Sequence, residues 1–130
     1  MSNAPDVLFG LVPLLRAVVR SEANATDTAV TADDSGTLFI NLSTSEHNYT
    51  LPTLTDGKGK HWLFFAGDST AALVVTGGTV DKMMGGDSAV GDKMTSSSQI
   101  GDWALVVCDG TYYYVICGSA ADSDGWDTST

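Results

Sequence analysis

The sequence predicts an all-β fold, an antiparallel β-sandwich or barrel-like domain preceded by an apolar N-terminal arm. Between residues 26 and 118, short runs rich in Thr, Val and aromatics are separated by Asp-Gly, Gly-Asp, Gly-Gly and Ser-rich breaks. That is the grammar of strands joined by turns. Asp109-Gly110 stands between two β-rich runs, and Asp-Gly is a preferred dipeptide of two-residue hairpins. Gly numbers 14 against Pro 3, which supplies many turns without a collagen-like or proline-rich chain. A length of 130 residues leaves room for one core.

Residues 1–25 read as an arm and connector. The run from Val7 to Val19 is apolar apart from Gly10, Pro13 and Arg16 and presents no polar face on a helical or a strand period. Such a segment must be buried on most sides. It is shorter than the ~20 residues of a membrane span, and Met1–Asp6 carries an acid and no base, unlike the start of a secretory leader. Two roles are open to it: a piece of the domain's own core, or a docking arm offering Val7, Leu8, Phe9, Leu11, Leu14 and Leu15 to a partner. The connector Ser21–Ala25 separates it from the first expected strand and favours docking.

In the body, strands are expected near Thr28–Ala32, Thr37–Leu42, Tyr49–Leu51, His61–Ala66, Ala71–Thr76, Thr79–Met83, Trp103–Cys108 and Thr111–Cys117. Pairing Cys108 with Thr111 across Asp109-Gly110 puts Trp103, Leu105 and Val107 on one face with Tyr112, Tyr114 and Ile116. Ala104, Val106 and Cys108 share the other with Thr111, Tyr113 and Val115. Both faces are largely apolar, so the other sheet, the N-terminal segment or another subunit should cover them. Gly67–Thr70 reads as the turn of a second hairpin, and Gly85–Gly101 as a long surface loop. No period repeats well enough to favour a solenoid. Residues 119–130 form an acidic tail in which Trp126 stands out. A tryptophan in a polar tail calls for a receiving surface, and a neighbouring subunit or lattice is the simplest one.

Charge narrows the function. Lys plus Arg number 6 against 16 Asp plus Glu, a net charge of -10 with a pI near 4.1. That balance argues against nucleic acid and anionic membranes as partners. His47 and His61 lie at strand edges, no serine occupies a Gly-x-Ser-x-Gly elbow, and Cys108 and Cys117 lie in apolar runs without adjacent bases. No enzyme is expected from this set, and no cofactor. Asp122–Asp127 has the alternating carboxylates of a calcium loop, but its glycine comes too early and no glutamate closes it. A turn-forming tail is the better reading, and no metal is expected.

Asp33-Asp34-Ser35-Gly36-Thr37-Leu38-Phe39-Ile40-Asn41-Leu42, then Tyr49-Thr50-Leu51-Pro52, then Trp62-Leu63-Phe64-Phe65 follow a pattern. It resembles that of the small β-domains of tailed-bacteriophage virions, which occur as capsid decoration proteins, head fibres and tail-fibre segments. Gly101–Tyr113 is similar to their closing hairpin, and the likeness spans residues 31–117. It implies a virion protein on the outer capsid surface, a decoration or cement protein that stabilises the shell. Its partners would be the major capsid protein and other copies of itself, a trimer being the first expectation. The alternative is a receptor- or glycan-binding module of a head or tail fibre, which stacking of an exposed Trp on a sugar ring would support.

Overall fold

The computed structural model describes residues 19–23, 26–78, 82–85, 90–119 and 126–129. The first half of the chain passes back and forth between two facing sheets. β1 (Val19–Glu22), β3 (Leu38–Asn41) and β5 (His61–Ala66) run parallel in the first sheet. β2 (Thr28–Ala29), β4 (His47–Thr50) and β6 (Leu73–Thr76) run parallel in the second. The second half completes both sheets with β7 (Met83–Met84), β8 (Lys93–Ser96), β9 (Trp103–Cys108), β10 (Tyr113–Gly118) and β11 (Trp126–Ser129). The strand orders are β1-β3-β5-β9-β10-β7 and β11-β8-β6-β4-β2. The β-sandwich expected from the sequence is present, built from mixed sheets rather than wholly antiparallel ones.

The parallel half corrects the expectation against a repeat. Val19, Leu38 and Leu63 lie side by side, as do Thr28, Tyr49 and Val75, so the chain makes three turns of a flat coil. Stacked turns place like residues over one another. Facing inward, the Arg20 guanidinium lies 5.2 Å from the Phe39 ring centre, and Phe39 stacks on Phe64 at 5.4 Å and 14°. Tyr49 tilts onto both rings from the opposite sheet, at 5.4 and 5.2 Å. Arg20 ends the stack at the sheet margin with its charge held by Glu22 at 3.0 Å and Asp34 at 3.7 Å, a polar cap on an apolar column.

Within the parallel half, both crossings from the second sheet back to the first, β2 to β3 and β4 to β5, carry a short helix. Ala32–Asp34 is a 3-10 turn tied by Asp34, whose carboxylate accepts from the Thr31 N–H and hydroxyl. The second, α1 (Leu54–Gly57), starts after Thr53, whose hydroxyl accepts from the Asp56 N–H. Gly57 lets α1 lie on the core, since a Cβ there would stand 3.2 Å from the Trp62 ring. The passage through Gly67–Thr70 is likewise a crossing between sheets, not a hairpin turn, because β5 and β6 belong to different sheets.

Three further expectations change. β8 forms inside the stretch expected to be loop, with Met94 and Ser96 facing inward. Ser96 tolerates burial because its hydroxyl accepts from the Leu73 N–H at 3.0 Å. The connector begins later than expected, since residues 19–22 form the edge strand β1, and the end of the tail is β11, paired antiparallel with β8. In the β9–β10 hairpin Cys108 faces Tyr113, two residues beyond the expected partner. Asp109 closes the turn with Tyr112, and its carboxylate accepts from the Thr111 and Tyr112 N–H groups at 2.8 Å. Gly110 therefore takes the left-handed position, φ 91°. A slip of two leaves every side chain on its expected face.

The core holds one tolerance that can be measured. The Tyr49 hydroxyl is buried without a hydrogen-bond partner, and burial pushes its ionisation upward. Tyr49→Phe removes an unsatisfied polar atom and keeps the ring contacts. Its urea midpoint should equal or exceed that of the wild type, by up to ~1 kcal/mol in stability.

Candidate interaction surface

The two outward faces of the sandwich differ in chemistry. Strand alternation gives the second sheet an outer face of Asn48, Thr50, Thr76, Thr95 and Asp127, with Val74 buried among them. This is an ordinary solvated face. The first sheet presents Val19, Leu38, Ile40, Leu63, Phe65, Leu105, Val107, Tyr114, Ile116 and Met84, with Ser21, His61 and Gly118 among them. No charged side chain points outward from its paired strand positions. Val19 is 56% exposed, Ile116 58%, and Trp103 and Tyr114 41% each.

This surface is continuous because each partner pair puts apolar groups side by side: Ile40 beside Phe65, Phe65 beside Trp103, and Leu63 beside Leu105 beside Ile116. Six strands at ~4.8 Å spacing and ~3.3 Å per residue give a face on the order of 400 Å². Apolar patches of that size on soluble proteins are commonly contact sites. Both faces of the β9–β10 hairpin were expected to be covered. Among the described residues the second sheet covers one, and the other stays open.

The residues singled out from the sequence fare differently. Val7, Leu8, Phe9, Leu11, Leu14 and Leu15 lie outside the described residues. Trp126 does not present itself to a partner. It opens β11, is 4% exposed within the core, and its indole N–H donates to the Gly118 carbonyl at 3.1 Å. The receiver of its apolar surface is this chain's own sandwich. The outer-face pair Trp103 and Tyr114 takes the role of exposed aromatics. Its signal was present in the sequence as a hairpin apolar on both sides.

His47 is buried with its Nε2 2.7 Å from the Thr28 hydroxyl. Cys108 and Cys117 are free thiols, and burial pushes both upward in pKa, away from the thiolate. No group of three or more His, Cys, Asp or Glu side chains converges among the described residues. An open depression of about 380 Å³ is lined by Val30, Thr31, Ala32, Asp33, Pro52 and Asp56. The hydroxyl in that lining, Thr31, donates to the Asp34 carboxylate at 3.0 Å.

Aspartates do structural work at turns. Asp27 accepts from the Asn48 N–H and side-chain amide, Asp68 from the Thr70 N–H, and Asp109 from the Tyr112 and Thr111 N–H groups. These bonds hold all three carboxyls below the usual carboxylate range. A depressed folded-state pKa stabilises above the unfolded value, about 4, and that contribution is lost as pH falls through the folded value. The urea midpoint should therefore fall from pH 6 to pH 3, and Asp109→Asn should narrow the difference. An equal midpoint at both pH values would contradict this.

No known family pattern matches the chain, and no curated protein shows significant similarity to it.

Proposed function

We propose that this chain is a structural protein of a phage virion, a decoration or cement protein that sits on the outer capsid surface as a homo-oligomer. The uncharged apolar outer face of the first sheet carries the reading. A chain whose described residues leave such a face open, and whose sequence also holds the apolar run of residues 7–19, is built to be closed by other chains. Copies associate through this surface, a trimer being the first expectation, and the assembly seats on the major capsid protein. Val7, Leu8, Phe9, Leu11, Leu14 and Leu15 act as contact side chains together with the outer face.

The action is adhesive. Binding across capsomer junctions stabilises the closed shell by mass action, because the contacts exist in the intact shell and must be broken before it opens. The acidic surface suits a layer outside the shell rather than one against packaged nucleic acid. For the glycan-binding alternative the stacking aromatics would be the exposed Trp103 and Tyr114, since Trp126 is a core residue.

Capsids assembled without the protein provide the test. Added chain should co-sediment with them and raise the temperature at which they rupture. Failure to co-sediment would overturn the capsid assignment and leave the oligomer question to the experiment below.

A further inference from the structure

No further inference is drawn: the strongest candidate, the apolar outer face of the first sheet around Trp103, Tyr114 and Ile116, is the contact surface already described, and nothing in the structure shows what covers it.

Discussion

Phe64→Ala should cost about 3–5 kcal/mol, the range for emptying a buried aromatic site, and should lower the urea midpoint accordingly. Phe64 is fully buried, stacks on Phe39 at 5.4 Å and receives Tyr49 at 5.2 Å from the opposite sheet. No single neighbour can move into the space without leaving these contacts, so the cavity persists. The loss is a large part of the 5–15 kcal/mol that stabilises a typical domain. Phe65→Ala is the control, because Phe65 points to the outer face and is only half-buried in a single chain. In dissociated protein it should cost no more than about 1.5 kcal/mol. Equal losses for the two under those conditions would mean that the inward and outward faces of β5 are misassigned.

Asp102→Ala should be nearly as severe, about 2–4 kcal/mol, for a polar reason. The Asp102 carboxylate is fully buried where β9 begins. It accepts from the Ser97 N–H at 3.0 Å, the Ser97 hydroxyl at 2.6 Å and the Ser119 hydroxyl at 2.7 Å. Ser97 follows β8 of the second sheet, and Ser119 follows β10 of the first, so one carboxylate ties the two sheets together at this end. Alanine leaves these partly buried donors without their carboxylate acceptor. Asp102→Asn keeps the shape and one acceptor oxygen and should recover part of the loss, read from urea midpoints at pH 7. An alanine variant as stable as the wild type would show that the network contributes no net stability.

These two residues also show what the sequence could disclose. Phe64 was legible as a strand residue, but Trp62, Phe64 and Ala66 alternate with Leu63 and Phe65, and an all-apolar strand does not say which set faces inward. The pairing with Phe39 and Tyr49 decides it. Asp102 follows Gly101 and reads as one more turn aspartate, since burial of its carboxylate depends on Ser97 and Ser119, which only the fold brings near. The parallel coil was hidden because its turns share few residue types, Leu38 with Leu63 and Phe39 with Phe64, and α1 lengthens one turn. β8 was hidden because its inward Ser96 is satisfied by the Leu73 N–H, a partner beyond the reach of local pattern. The Asp-Gly hairpin survived because a register slip of two preserves faces. Trp126 misled for the opposite reason: its acidic neighbours read as a tail, while the indole belongs to β11.

The central claim is that the outer face of the first sheet is a contact surface, closed when the protein is assembled. Trp103 reports on it directly, being 41% exposed in the single chain while Trp62 and Trp126 are buried at 0% and 4%. Acrylamide quenching of the assembled full chain, compared with Trp103→Phe to isolate the Trp103 emission, measures its access to solvent. The account predicts that Trp103 is shielded in the oligomer and becomes freely quenched when the oligomer is diluted apart. A Trp103 quenched as readily in the assembled protein as in the dissociated one would contradict it.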